Sequence, residues 1–128
     1  MAVELNHTIV PARDPQASAQ FLADILGLTV DPPVAHFFPV TLANQVSLDY
    51  DQLDAFEPHH YAFMVSEQEF NAALARIGHA GVTHYGDPAC QEGGQIYHSE
   101  RAEGRRGTYF RDPDGHLMEI LTPGCTGP

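Results

Sequence analysis

The chain contains the same pattern twice. "HTIVPARDPQASAQFLADILGLTV" begins at His7 and "HYAFMVSEQEFNAALARIGHAGVT" begins at His60. Each copy opens on a histidine, continues as a short apolar strand and reaches an acidic residue, Asp14 or Glu67. Each then runs through a helix-like stretch to a glycine and another β-rich segment. The histidines are offset by 53 positions and the glycines, Gly27 and Gly81, by 54. An offset that holds across a whole segment marks one supersecondary unit used twice. At 128 residues the chain has room for one compact domain built from two such modules.

Local signals place the helices. In the first copy Pro15 sits near N1 after Asp14, with Ala17, Phe21, Ile25 and Leu28 at helical spacing and Gly27 near the stop. In the second, Ser66 with Glu69 three residues on forms a capping-box pattern, Phe70, Leu74 and Ile77 give an apolar stripe, and Gly81 ends it. Segments around 34–43, 45–50, 94–100 and 106–121 alternate or carry β-formers. "DQLDAFEP" (51–58), polar and ending in Pro, reads as a linker. The predicted order is β-α-β-β-β over about 1–50, the linker, and β-α-β-β-β again over about 59–122. That order is an α+β fold.

The stretch "YFRDPDGHLMEI" (109–120) predicts two strands joined by a tight turn at Asp112-Pro113-Asp114-Gly115. After the turn, Leu117, Glu119 and Leu121 share one strand face, and Met118 and Ile120 the other. An ionised carboxylate between two leucines needs a cation, an arginine or a route to water. Two other strands repeat this oddity: His7 lies between Leu5 and Ile9, and His60 shares a face with Ala62 and Met64. Related strands of duplicated units are expected to meet around a pseudo-two-fold axis. Two imidazoles and one carboxylate converging there make a 2-His-1-carboxylate facial site for one divalent metal, with positions left open. The predicted ligands are His7, His60 and Glu119. That set is compatible with Fe, Mn, Ni, Co and Zn.

Composition removes several function classes. A net charge of −11 argues against nucleic acid or an anionic membrane as a main partner. No apolar run approaches a membrane span, and the N-terminus lacks a basic-then-apolar signal pattern. Cys90 and Cys125 form no CxxC and suggest reduced thiols in a cytoplasm. All six basic residues are arginines, so no lysine is available for a Schiff base or a P-loop. Arg101, Arg105, Arg106 and Arg111 cluster within eleven positions, as a solvated or subunit-facing stretch or as an anion-attracting rim. They lie in or beside the Gly-rich segment 85–107, a long connection that reads either as a surface excursion or as a flap bringing Tyr97, His98 and Arg106 towards substrate.

These features, from "LNHTIVPARD" through "HHYAFMVSEQEF" to "GTYFRDPDGHLMEI", resemble the vicinal oxygen chelate superfamily. Its members include glyoxalase I, extradiol dioxygenases, fosfomycin-resistance enzymes and bleomycin-resistance proteins. The resemblance implies two βαβββ modules forming a cupped mixed sheet around a divalent metal, with ligands carried over onto His7, His60 and Glu119. It implies a small substrate with vicinal oxygens, anionic or enolisable, and a homodimer, because small members commonly complete their sites by pairing chains.

The branches separate by residues. Glyoxalase-like enzymes add a fourth-strand glutamate; "QVSLDY" is expected to put Ser47 there, with Asp49 substituting if the register shifts. Fosfomycin-type transferases use a lysine and hydroxyls where this chain has no lysine, Gly107 and Ile9. Bleomycin-binding relatives commonly lack the triad that is intact here. An extradiol-type dioxygenase remains the first expectation, which the resemblance implies would favour Fe(II), with Tyr109 and His98 as proton-transfer or hydrogen-bonding residues near the metal. A glyoxalase-like lyase or isomerase, or a thiol transferase, is the alternative, and a non-catalytic small-molecule-binding protein the second.

Overall fold

The computed structural model describes residues 2–125. The chain divides into two compact units, one ending at Glu57 and the other starting at Pro58.

The first unit comprises β1 (His7–Ala12), α1 (Pro15–Leu26), β2 (Phe38–Thr41) and β3 (Ser47–Gln52). Its sheet has the order β1-β3-β2, with β1 parallel and β2 antiparallel to β3. A parallel neighbour needs a crossover, which α1 supplies. Asp14 caps α1 by accepting from the Ala17 N–H at 3.1 Å, Pro15 opens it, and Gly27 closes it at φ +71°. The buried face of α1 is Ser18, Ala19, Leu22, Ala23 and Ile25. Of the expected stripe only Ile25 lies on it; Ala17 is exposed, and Phe21 and Leu28 are half-buried. The small side chains of Ser18, Ala19 and Ala23 allow close approach to the sheet, and that turns the helix away from the expected face.

The repeat calls for three strands after α1, and the first unit forms two. Pro32 and Pro33 have no N–H for a ladder. The remaining contacts are one bond from Asp31 N–H to the Pro39 carbonyl and a Val34–Phe37 pair around Ala35, which has φ +53°. The expected 34–43 segment shortens accordingly to Phe38–Thr41.

The second unit has one strand more than the pattern, four after its helix, the two-residue β5 falling outside the expected segments: β4 (His60–Met64), α2 (Glu67–His79), β5 (His84–Tyr85), β6 (Tyr97–His98), β7 (Arg106–Arg111) and β8 (Leu117–Leu121). Its order is β4-β8-β7-β5, with β6 also paired to β7 and β4 parallel to β8. The Ser66–Glu69 capping box starts α2 with both reciprocal bonds made, worth about 1 kcal/mol. In the β7–β8 turn Asp112 Oδ1 accepts from the Asp114 and His116 N–H groups at 2.9 Å each, and Gly115 takes φ +86°. His116 is buried and its Nδ1 accepts the His59 N–H at 2.9 Å, tying the hairpin to the start of β4.

Strand alternation sorts the second unit into two faces. Met118, Ile120, Phe110 and Phe63 are buried, as are Phe70, Ala73 and Ile77 of α2. Each large side chain there contributes about 1.5–3 kcal/mol by leaving water. The other face carries His60, Ala62, Gly107, Tyr109, Leu117, Glu119 and Leu121. These are mixed sheets and helices of an α+β fold. Among the described residues no helix is long and apolar enough to cross a membrane.

Candidate metal centre

Glu119 meets a histidine. In the parallel pair β4–β8, His60 is opposite Leu117 and Ala62 opposite Glu119, so His60 and Glu119 are diagonal neighbours on one face. His60 Nε2 lies 3.0 Å from Glu119 Oε1. Glu119 is only 8% exposed, whereas the His60 side chain is 47% exposed. Two ligand atoms each about 2.1 Å from a metal and at right angles to one another stand about 3.0 Å apart, so this imidazole and carboxylate fit as adjacent ligands of one divalent ion.

Two phenols close over the same carboxylate. The Tyr97 hydroxyl donates to Glu119 Oε2 at 2.5 Å. Tyr109 is directly opposite Glu119 on β7. The Tyr109 ring lies 5.5 Å from that of Tyr97 and 6.0 Å from that of His60, all tilted, which gives an aromatic wall beside the ligand atoms. Burial, and then the Glu119 charge and its hydrogen bond, push both phenols above their ordinary value. Both are hydrogen-bond donors at neutral pH.

His7 lies on β1 of the first unit. Its Nδ1 pairs with Asn6 Oδ1 at 2.8 Å, which orients the ring. In the same unit Ser47 faces His7, and Asp49 faces Ile9. This register equals that of the second unit, where Leu117 faces His60 and Glu119 faces Ala62. Asp49, not Ser47, is thus the first unit's counterpart of Glu119, and no register shift is needed. The Ser47 hydroxyl donates to the Asp49 carboxylate. Among the described residues, no three His, Cys, Asp or Glu side chains gather as one metal-holding group.

Other expected residues stand elsewhere. His98 follows Tyr97 in a two-residue strand and is exposed, so alternation sends it to the face opposite Tyr97. The structure brings Tyr97, and not His98, to Glu119. Its signal in the sequence was Gly107, directly opposite in the ladder. Arg106 faces away from Glu119: its Nε donates to Glu67 at 3.0 Å, its Nη2 to Asn71 at 2.9 Å, and its guanidinium covers the Phe70 ring at 4.4 Å. Arg105 donates to the Thr122 and Pro123 carbonyls and Arg111 to that of Gly115. Three of the four clustered arginines thus join parts of the second unit together. The segment 85–107 is likewise tied down, with Asp87 accepting from the Gln91 and Glu92 N–H groups and β6 laddered to β7.

Comparison with known proteins gives the same architecture. Oxidase ChaP-H2 is 52% identical, with a TM-score of 0.91 and full coverage of both chains. The glutathione transferase FosA of Serratia marcescens is 32% identical over 94% of this chain and 81% of its own. The fosfomycin resistance protein FosX of Listeria monocytogenes, whose structure holds Mn(II) and a dihydroxypropylphosphonic acid, is 22% identical with a TM-score of 0.70, covering 94% of this chain and 90% of that one. The family model of the glyoxalase/bleomycin resistance protein/dioxygenase superfamily matches residues 4–120. The chain belongs to that superfamily.

Proposed function

We propose that this protein is a divalent-metal-dependent oxygenase, using Fe(II), that acts on a small aromatic substrate with vicinal oxygens. The observation that carries the reading is the 3.0 Å approach of His60 Nε2 to Glu119 Oε1 on a face walled by Tyr97 and Tyr109. His60, Glu119 and His7 would hold the ion. When bound, the ion supplies positive charge to stabilise the anion that develops on two adjacent substrate oxygens.

The chain's own residues do the rest. Glu119 is held by the Tyr97 phenol, so its charge is directed and not free to rotate. Tyr109, opposite Glu119 and beside His60, is the catalytic residue of this reading: its hydroxyl donates to developing negative charge on the substrate. The tilted rings of Tyr97, Tyr109 and His60 offer faces and edges that suit a planar substrate. With Arg105 and Arg106 committed elsewhere, substrate charge is met by the metal and the phenols rather than by an arginine rim. His98 retains at most a role at the outer side of β6. The 52% identity with a protein named as an oxidase supports oxygen chemistry over transfer or isomerisation.

Asp49 favours a second reading. A fourth-strand carboxylate in register with Glu119 is the arrangement of glyoxalase-like isomerases. Aspartate is one methylene shorter than glutamate and its carboxylate is engaged by Ser47, which keeps this reading second.

Anaerobic purification followed by elemental analysis tests the metal. Oxygen uptake by the Fe(II)-loaded protein over a panel of catechols, beside hemithioacetal isomerisation by the Ni- or Zn-loaded protein, tests the chemistry. Activity in the second assay alone overturns the oxygenase reading. Silence in both with tight aromatic binding makes the protein a binder.

A further inference from the structure

We infer that Tyr97 is a positioning residue that sets which oxygen of Glu119 faces the metal, and that Gly107 exists to let it do so. The inference rests on the metal reading above and adds a residue to it. Glu119 has two oxygens with distinct partners: Oε1 lies by His60 Nε2 at 3.0 Å, and Oε2 accepts from the Tyr97 hydroxyl at 2.5 Å. A carboxylate pinned at one oxygen presents the other, so Glu119 offers a single ligand atom and leaves more of the metal open to a substrate with two oxygens.

Tyr97 reaches Glu119 only by lying across β7. Its ladder partner is Gly107, and a Cβ at Gly107 would stand 2.1 Å from the Tyr97 ring carbon Cζ and 2.2 Å from its hydroxyl. No side chain larger than hydrogen leaves the phenol where it is. The obstructing atoms are the tip of a side chain and not backbone, so a methyl at 107 displaces Tyr97 and leaves the strand in place. This also accounts for a glycine in the middle of a strand, where it is otherwise unfavourable. Tyr97 is itself carried by the two-residue β6, whose pairing with β7 fixes the phenol over Gly107.

The test uses Co(II) added to the full-length, metal-free protein, read by binding titration and by the visible d–d absorption of the bound ion. Tyr97→Phe keeps the ring and removes the hydroxyl. It is expected to bind Co(II) about tenfold more weakly, as when other supports of a ligand are removed, and to show an altered d–d band with unchanged far-UV circular dichroism. Gly107→Ala is expected to reproduce both changes although it touches no ligand. If it does not fold, Tyr97→Phe decides alone. Wild-type affinity together with a wild-type band in Tyr97→Phe overturns the inference, whatever Gly107→Ala does. A wild-type protein that binds no Co(II) refutes the metal reading itself and removes the ground of this one, an outcome distinct from the first.

Discussion

Asp49 stands in the first unit where Glu119 stands in the second: each is two residues past the partner of the strand-opening histidine, His7 or His60. The duplication therefore copied a His-carboxylate pair and not only a fold. The two pairs have diverged in company. Glu119 is held by the Tyr97 phenol and adjoins His60, whereas Asp49 is engaged by the Ser47 hydroxyl two residues away on the same strand. Unequal surroundings imply unequal roles.

Removing any one of His7, His60 and Glu119 should empty the site. Alanine at each position is expected to weaken divalent-metal binding by more than the roughly 100-fold upper range seen when a ligand's supporting partner is lost. Far-UV circular dichroism should stay near wild type, since none of the three lies in the apolar core. Full metal occupancy in Glu119→Ala, measured by elemental analysis, would show the ligand assignment to be wrong.

Asp49→Asn should weaken metal binding less than Glu119→Gln does. The shorter side chain and its Ser47 bond make Asp49 a subsidiary group. Equal losses in the two variants, compared by Co(II) titration, would make a four-ligand set and bring the isomerase reading forward.

Tyr109→Phe is expected to lower turnover by about 100-fold, the scale of losing one donor to transition-state charge, while metal content is preserved. The phenol is held protonated by burial and by Glu119, so it acts as a donor across the neutral range. Metal loss that parallels the activity loss would reassign it to supporting Glu119.

Asp112 gives the fold a pH dependence of predictable sign. Burial raises its carboxyl above the ordinary 3.8, against the opposing effect of the His116 and Asp114 contacts, and its Oδ2 is buried without a hydrogen-bond partner. The folded chain then keeps this proton to higher pH than the unfolded chain does. The group's contribution is complete below pH 3.8 and declines as pH rises through the raised value. Asp112→Asn removes the decline, so the melting-temperature advantage of wild type over the variant should shrink as pH rises above 3.8. A difference that is constant with pH would count against it.

Leu5, Ile9 and Met64 are exposed on the strand faces that carry His7 and His60, at 66%, 40% and 56%. Exposed apolar side chains on these faces call for cover, and a second copy of the chain would supply it. Sedimentation at micromolar concentration is expected to give twice the 14.0 kDa chain mass. A stable monomer would reject the pairing.

Much of this protein was determined locally, and the sequence shows it. The 53-residue offset between His7 and His60, the Ser66–Glu69 box, the Asp112–Gly115 turn and the placing of Glu119 on the opposite face from Met118 and Ile120 all follow from spacing within one element. Side-chain phase along a strand or helix is set by backbone geometry over a few residues, so it can be read without knowing what lies alongside. Pairing between elements is different. That Asp49 and not Ser47 matches Glu119 depends on how β1 and β3 align. That Tyr97 and not His98 reaches the carboxylate depends on which side of β6 faces β7. Arg106 turns to Glu67 and Asn71 because α2 lies on its side of the sheet, and α1 is turned by small residues whose significance appears only against β1–β3. Register and facing between strands arise from contacts distant in sequence, and a one-residue slip exchanges every side chain between faces. Only the tertiary structure could decide them.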